Sequence, residues 1–262
     1  GPNWLLKKEI GVIPYDWFEA PAKQYMKKEL LAVNPVEKTA YTLFNWWPFM
    51  WMDDADIYDA DGNVTAGKDS MADALDFWGS FYQNEYCPSS LQNGPWSIDN
   101  VANGVAAMQI GGTYMINAAE EYNKDGHNIG VVPLPSPKGK DPVTVAGGQM
   151  MAVSSQSKDV DAAADFIFWC FGSDDTTYVT KWCTEAKFAY PARQSVIEEN
   201  KELFQEGMKA IFTEFYDTAR PEPQYSSEVT DIMGDTLQSV MFGGSSGADA
   251  AQLAQEQIEA LN

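Results

Sequence analysis

Residues 101–155 constrain the fold most, because they hold two short apolar stretches that each meet a glycine pair. Residues 106–110 and 143–153 have the length and apolar character of buried β-strands. Gly111-Gly112 follows the first stretch and Gly147-Gly148 interrupts the second. Glycine lets the backbone turn sharply and lets another molecule approach the main chain. The pattern predicts an α/β sheet whose strand ends are open to a ligand, although glycine pairs are equally common in simple turns.

The residues after the first glycine pair predict a strand-to-helix turn. Thr113 is placed to cap a helix over residues 115–122, which would present Tyr114 at the mouth of the turn. Residues 128–132 are predicted to form a further strand, which a run of alternating prolines closes with a rigid, extended exit.

The composition excludes several classes of protein. A chain of 262 residues with 45% hydrophobic content can bury a core, as one large domain or two small ones. A net charge of −21 would repel the phosphates of nucleic acid and of anionic lipid, so neither is predicted as a partner. The single His127 and the three cysteines lack the spacing of a metal site, and one histidine leaves little room for a Ser-His-Asp triad. Cys170 and Cys183 fall on two limbs of a predicted helical hairpin, where a disulfide and two buried thiols both stay open.

Residues 39–52 carry six aromatic side chains in 14 positions. Residues 49–51 are interpreted as core. Asn45, Trp46 and Trp47 are placed instead at the end of a short apolar strand. A polar side chain beside flat rings suits a sugar, because its C–H faces stack on indoles and its hydroxyls need directional partners.

The segments around this aromatic run predict supporting structure. A helix is expected to begin near Asp16, and residues 53–67 form a hairpin whose acidic residues lack the closing glutamate of a calcium loop. Ser70 is predicted to cap an amphipathic helix with one buried face. Trp96 stands alone on a polar loop, where it either packs against a helix or faces a ligand.

The C-terminal half is predicted to be mainly helical. Helices are expected over residues 160–171, 173–185, 197–216, 226–242 and 248–261. Ser157 is predicted to cap the first of them. The proline-containing loop at residues 220–225 is stiff, so it is expected to hold Tyr225 and Glu228 toward a cleft.

Several runs of the sequence resemble the extracellular carbohydrate-binding proteins of ABC importers, the family that includes maltose-binding protein. The runs are G-V-A-A-M-Q-I-G-G-T-Y-M, N-I-G-V-V-P-L-P-S-P-K-G-K and V-T-V-A-G-G-Q-M-M-A-V-S, and the segments N-W-W-P-F-M-W-M and F-A-Y-P-A-R-Q-S agree with them. The resemblance is specific in order and spacing and covers nearly the whole chain.

The resemblance implies an α/β fold of the periplasmic-binding-protein-like type II class, with a mixed sheet flanked by helices and mostly the second lobe present. Residues 1–145 are expected to form the first part of the second lobe and residues 198–262 its closing helices. Residues 146–197 are expected to be a strand and helical hairpin of the first lobe. Family members are usually longer, so the N-terminal part of the first lobe is expected to be missing. That segment, or a second copy of the chain, is the expected partner of residues 146–197.

The function implied by the resemblance is that of a non-catalytic receptor. It would bind a neutral sugar or oligosaccharide between its lobes and deliver it to the membrane subunits of an ABC permease, as an extracellular, lipid-anchored or periplasmic protein. Neither a cofactor nor a catalytic residue is expected. A glycoside hydrolase, which needs two facing carboxylates, and a carbohydrate-binding surface protein without a transport role stay open. The expected ligand-binding residues are Asn45, Trp46, Trp47, Gly112, Tyr114, Gly147, Gly148, Gln149, Tyr225 and Glu228.

Overall fold

The computed structural model of the chain describes residues 31–32, 40–87, 91, 93–137, 139–186 and 188–261. The chain divides into two compact units. Unit 1 contains the described residues up to Gly111, Val132–Ala146 and those from Asp217 onward, and unit 2 contains Gly112–Val131 and Gly147–Tyr216. The chain therefore passes between the units at 111/112, 131/132, 146/147 and 216/217. The three lobe segments expected from the sequence stay a prediction. The helix expected near Asp16 lies outside the described residues, except at its last residue, Leu31.

Helices dominate the described part of the chain. The α-helices there are α1 Ala40–Met52, α2 Asp69–Gln83, α3 Asp99–Ala102, α4 Ile116–Lys124, α5 Val160–Ile167, α6 Thr177–Lys181, α7 Gln194–Glu199, α8 Gly207–Phe215, α9 Ser227–Met241 and α10 Gly247–Glu259. Short 3₁₀ turns cover Thr113–Met115, Lys201–Phe204 and Tyr216–Thr218, and π-helical turns cover Phe168–Gly172 and Trp182–Ala186. The strands are β1 Leu31–Ala32, β2 Met108–Gln109, β3 Thr144–Ala146 and β4 Ala219–Pro221. Among these helices none is long and apolar enough to cross a membrane.

The core of unit 1 is built by α1, α2, α9 and α10. As predicted, one face of α2 is buried, with Met71, Ala74, Leu75, Trp78 and Phe81 at helical spacing. Glycine permits the close crossing of two of these helices, because a Cβ on Gly79 would lie 2.9 Å from the carbonyl oxygen of Val240. The packing of this core therefore depends on small residues at the helix crossings as well as on large apolar ones.

The strands form two separate parallel pairs, both in unit 1. In the first pair Leu31 is opposite Met108, which confirms a strand within residues 106–110. In the second pair Thr144 is opposite Ala219, and the strand predicted over residues 143–153 ends at Ala146.

The strand predicted over residues 128–132 is wrong, because these residues form no strand. The side-chain amide of Asn123 explains the difference: it donates to the Ile129 carbonyl at 2.8 Å and accepts from the Ile129 N–H at 2.7 Å. Both main-chain groups of Ile129 are therefore engaged by a side chain and not by a neighbouring strand.

The three predicted helix caps are also wrong. Thr113 begins a 3₁₀ turn, and the helix predicted to start with Ser70 as its cap begins at Asp69 without a side-chain cap. The helix expected to be capped by Ser157 is capped by Asp159, whose carboxylate accepts from the Ala162 N–H at 2.9 Å. Asp is at least as good an N-cap as Ser, and Asp159 stands closer to the helix start.

The regular secondary structure described in unit 2 is all helical. The helical hairpin predicted about Gly172 is present as α5 and α6, each continued by a π-helical turn. The helix predicted over residues 197–216 is broken instead into α7, a 3₁₀ turn and α8, and Gly207 has a positive φ of 53° at the last break. Cys87, Cys170 and Cys183 are free thiols.

Asp53 stands directly after α1 among other charged groups. Burial raises the pKa of the Asp53 carboxyl to about 6, the negative charges of Asp73 and Asp54 add to this shift, and Lys140 opposes it. Lys140 itself forms an ion pair with Asp54 at 2.8 Å. The ionised form of Asp53 is therefore less favourable in the folded protein than in the unfolded chain.

This shift predicts how the stability of the protein depends on pH. Because the folded-state pKa is raised, the favourable contribution of protonated Asp53 is complete below its unfolded pKa and is lost as the pH rises through about 6. Asp53→Asn is expected to raise the free energy of unfolding by about 1 kcal/mol near neutral pH, after allowance for the half-exposed position, and to leave it unchanged near pH 4. Urea unfolding over this pH range measures the difference, with the exposed Asp61→Asn as control. An effect of Asp53→Asn that is independent of pH would contradict the assignment.

Candidate ligand-binding site

The aromatic run at residues 40–52 forms helix α1, so the prediction that Asn45, Trp46 and Trp47 follow a strand is wrong. The run is apolar around its whole circumference, and a helix of that kind is stable only when it is buried on all sides. Residues 49–51 are buried, which confirms their interpretation as core. Tertiary burial therefore determines the conformation of this segment.

Asn45 and Trp46 lie inside the core of unit 1. The Trp46 side chain is 0% exposed, and its Nε1 donates to the carbonyl of Ala74 at 3.4 Å. An enclosed ring offers no free face to a sugar in this arrangement. A contact of either residue with a ligand stays a prediction.

Trp47 belongs to a group of rings that we call the aromatic cluster: Phe44, Trp47, Trp51, Tyr58 and Tyr225. The Trp47 ring is stacked with that of Trp51 at 6.5 Å and meets the edge of Tyr225 at 6.3 Å. Tyr58 lies 6.1 Å from Tyr225 on its other side. The cluster thus joins two residues predicted to be in the site, Trp47 and Tyr225, although they are far apart in the sequence.

Asp56 organises the polar groups around the aromatic cluster. One carboxylate oxygen accepts a hydrogen bond from the Tyr225 hydroxyl at 2.8 Å, and the other accepts from Arg220 at 3.0 Å. The Arg220 guanidinium also lies 4.4 Å from the centre of the Trp51 ring, which is the geometry of a cation–π contact. Burial, and then the charge of Asp56, raise the pKa of Tyr225, so its hydroxyl is a permanent donor at neutral pH.

Two donors in the aromatic cluster are unsatisfied. The indole Nε1 atoms of Trp47 and Trp51 are buried and have no hydrogen-bond partner among the described residues. A buried donor without a partner costs about 1–3 kcal/mol, so such groups are uncommon in a native core. An acceptor atom of a ligand or a bound water can satisfy each of them.

Glu228 is exposed in the first turn of α9. Its own backbone N–H and the Ser226 and Ser227 hydroxyls hold the pKa of its carboxyl below the usual range. Ser226 caps this helix by accepting from the Val229 N–H at 3.3 Å. Glu228 is therefore an ionised acceptor suited to hydroxyl donors.

The other predicted site residues lie in unit 2. The Tyr114 ring packs directly over Gly112, since a Cβ at position 112 would lie 2.8 Å from Tyr114 Cε1. Gly112 is thus needed for the close approach of this ring to the main chain. Gly147, Gly148 and Gln149 are exposed and follow the end of β3 without forming a strand.

Three residues at these sites were missed or left undecided by the sequence. Asp56 belongs to the acidic segment that the sequence predicts to be a structural hairpin. Its partner Arg220 is 164 positions later, so the spacing of neighbouring residues could not reveal the pair. Trp96 is 56% exposed, and its ring folds back over Gly94, where a side chain would clash with it. A lone tryptophan next to glycine in a polar loop was the available signal for an exposed, rigidly supported indole.

The chain belongs to the bacterial extracellular solute-binding proteins: the sequence model of that family matches residues 14–210. This is a family of binding proteins. Comparison with curated proteins gives no match.

Solved structures show which fold the chain adopts. It is similar to the GacH receptor of Streptomyces glaucescens, solved unliganded and with acarbose, at 18% identity and a TM-score of 0.72, covering 95% of this chain and 64% of that one. The chain is also similar to the maltose-bound MalE3 of T. maritima, at 16% identity and a TM-score of 0.71, covering 95% of this chain and 63% of that one. Its similarity to UgpB from Mycobacterium tuberculosis, in complex with glycerophosphocholine, has 13% identity and a TM-score of 0.68, and covers 95% of this chain and 63% of that one.

These similarities confirm the expected periplasmic-binding-protein-like α/β fold. The chain spans less than two thirds of the length of each of the three structures. At these identities the likeness concerns the fold, and a ligand has to be argued from the site itself.

The contrast between Trp46 and Trp96 gives a test of these placements. Trp46→Ala is expected to lower the free energy of unfolding by about 3–5 kcal/mol, because removal of a buried indole leaves a cavity. Trp96→Ala is expected to change it by less than about 1 kcal/mol, because that ring is half exposed. Urea unfolding monitored by circular dichroism measures both. Equal losses in the two variants would contradict the burial assigned to Trp46.

Proposed function

We propose that the protein is the substrate-binding component of an ABC importer and binds a neutral sugar or oligosaccharide in a cleft between two lobes. The observation that carries the proposal is the shared fold, over 95% of this chain, with structures that hold maltose and acarbose. The bound sugar would be delivered to the membrane subunits of a permease. Export of the whole protein and its attachment to the cell surface by lipid belong to the same proposal.

The chemistry of the aromatic cluster supports a carbohydrate ligand. A sugar presents flat C–H faces and a rim of hydroxyls, so it needs rings together with directional acceptors and donors. Tyr225 supplies a partly exposed ring, Glu228 supplies an exposed carboxylate acceptor, and the unsatisfied indole N–H groups of Trp47 and Trp51 supply donors. The Trp47 ring itself is 4% exposed and packs against Tyr225, so it supports the Tyr225 ring from behind.

The residues of unit 2 supply complementary chemistry. Tyr114 offers a ring above the exposed main chain at Gly112. The exposed Gly147, Gly148 and Gln149 offer main-chain groups that side chains do not shield.

The charges favour a neutral ligand over an anion. The chain carries a net charge of −21, which repels anions at a distance. Arg220, the cation at the aromatic cluster, is already paired with Asp56 at 3.0 Å. A ligand at this place therefore meets no free positive charge from that arginine.

Two alternatives to a transport receptor are kept. A glycoside hydrolase would use two facing carboxylates about 5–10 Å apart. Asp56 is a poor candidate for such a pair, because both of its oxygens are engaged. The second alternative is a carbohydrate-binding surface protein that has no permease partner.

Ligand binding is tested by saturation-transfer difference NMR, which detects weak binding, with maltose, maltotriose, acarbose and glycerophosphocholine. The sugars are expected to give signals, and Trp96→Ala and Tyr114→Leu are expected to weaken them about tenfold through loss of a stacking face. Phe242→Ala is the matched control, since Phe242 is 55% exposed and Trp96 is 56% exposed. Release of shorter sugars during the titration would support the hydrolase, and signals from glycerophosphocholine alone would overturn the choice of a carbohydrate.

We also propose that unit 2 packs against a further polypeptide segment, either one that supplies the rest of the first lobe or a second copy of the chain. The hairpin of α5 and α6 exposes a set of large aromatic side chains, which we call the aromatic face: Phe166, Phe168, Trp169, Tyr178 and Trp182. Next to β3 in the sequence, the segment at residues 147–152 is exposed throughout, and Met150 is 96% exposed. Exposed apolar surface of this kind favours association, and about a third of each matched structure lies outside the part that this chain covers.

Analytical ultracentrifugation, of the protein alone and mixed with a polypeptide that covers the remaining third of the matched fold, tests this association. We expect a 1:1 complex with that polypeptide, and we expect Trp169→Ser together with Trp182→Ser to weaken it by at least about tenfold, because both rings lie in the aromatic face. Phe242→Ser, which removes an equally exposed ring of unit 1, is the control. Self-association that the same double substitution abolishes would assign the face to a second copy instead.

A further inference from the structure

The strand pair β3–β4 lies at two of the places where the chain passes between the units. β3 ends at Ala146, the last residue before the chain enters unit 2, and β4 begins at Ala219, two residues after its return at Asp217. The pairing extends one bond further, since the Glu222 N–H donates to the Ala146 carbonyl at 3.2 Å. The crossings at 146/147 and 216/217 therefore both adjoin this pair of parallel strands, which we call the β3–β4 ribbon.

A ribbon of two three-residue strands is too short to be stable by itself. On β3, Val145 is partly buried against the core of unit 1. On β4, Arg220 and Pro221 are exposed. β4 is therefore attached to unit 1 by its pairing with β3 and by whatever contact its exposed side chains make with the core.

Arg220 makes this attachment. Its guanidinium lies over the Trp51 ring at 4.4 Å and pairs with Asp56 at 3.0 Å. Tyr225 holds the other oxygen of Asp56 at 2.8 Å, so the carboxylate is oriented from both sides. We call Arg220, Trp51, Asp56 and Tyr225 the Arg220 clamp. All four belong to unit 1, and Trp51 is nearly fully buried.

We infer that the Arg220 clamp fixes the β3–β4 ribbon to unit 1, so that the units move relative to each other by bending on the unit 2 side of the ribbon. The bending stretches are the exposed residues 147–149 after β3 and the 3₁₀ turn Tyr216–Thr218 before β4. Gly148 has nothing within 4 Å of the position of a Cβ, so little packing restrains the first stretch. Arg220 is a positioning residue in this arrangement and does not itself contact the ligand.

The clamp also affects ligand binding, and this part rests on the proposed function. A receptor that closes around its ligand binds more weakly when fewer molecules have the competent arrangement of lobes. A ribbon fixed to one unit limits the arrangements that the free protein visits. Arg220→Met removes the clamp but no group that is proposed to touch the sugar, so it is expected to lower the affinity through the arrangement of the lobes alone.

Hydrogen exchange of the free protein tests the clamp without any ligand. Arg220→Met keeps a long side chain but removes the charge, and it is expected to speed exchange in peptides covering β3 and β4 by at least about tenfold, with α10 unchanged. Lys140→Met is the matched control, since it removes a different exposed ion pair of unit 1, Lys140 with Asp54 at 2.8 Å. Arg220→Lys is expected to fall between the wild type and Arg220→Met, because it restores the charge without the planar stack. Unchanged exchange in Arg220→Met, or an equal increase in Lys140→Met, would overturn the inference.

A second variant and a second measurement keep the test decisive if Arg220→Met fails to fold. Tyr225→Phe removes only the hydroxyl that orients Asp56, and it is expected to speed exchange in the same peptides by about threefold. Double electron–electron resonance between spin labels attached at Asp249→Cys and Glu202→Cys, one in each unit, measures the distribution of distances between the labels. This distribution is expected to be broader in Tyr225→Phe than in the protein without that substitution. A distribution and exchange rates equal to those of the wild type would overturn the clamp.

The same variants titrated with maltotriose separate this inference from the proposed function. If the wild type binds maltotriose, Arg220→Lys and Arg220→Met are expected to weaken binding in the order of their exchange rates, because Arg220 itself has no proposed contact with the sugar. Failure of the wild type to bind maltotriose would count against the proposed carbohydrate ligand, while the exchange rates would still decide whether the clamp exists.

Discussion

The burial of helix α1 is the constraint on which unit 1 depends. This helix is apolar on all sides, so it is stable only when other elements enclose it. α2 and α9 pack against α1, and α10 packs against both of them, with glycine at the crossing of α2 and α9. The aromatic cluster continues the same packing toward the surface, where Asp56 and Arg220 contact it. The polar groups of the candidate site are thus positioned by a core that is itself organised around one aromatic helix.

The sequence predicts the amphipathic elements of this chain well. The buried face of α2, the C-terminal helices and the hairpin of α5 and α6 follow from helical spacing alone. The strand around Met108 and the shortened strand at Thr144 follow from short apolar runs. These predictions succeed because the pattern of buried and exposed positions repeats along the residues of each element, so the element's own sequence shows it.

The failures of sequence reasoning have a common physical cause, because in each the deciding partner lies outside the local pattern. The residues before Trp47 are short, apolar and aromatic, which suits a strand, but enclosure by other elements stabilises a helix. Residues 128–132 look like a strand, but Asn123 engages the main chain of Ile129. For the candidate site, Trp47 and Tyr225 were identified as ring residues, whereas Asp56 and Arg220 could not be connected across 164 positions. Local periodicity carries no information about such partners.

The two π-helical turns in the hairpin of unit 2 have a consequence for how its surface arose. A π-helical turn closes its hydrogen bond one residue later than an α-helical turn, so it acts as a one-residue insertion within a continuous helix. Every side chain beyond it is rotated by about 100° relative to an uninterrupted α-helix. Phe168 and Trp169 lie within the first such turn and Trp182 within the second. The phase of each helix therefore shifts across the segment that carries these rings, and a single-residue change in chain length there would move the side chains beyond the turn from one side of the helix to another.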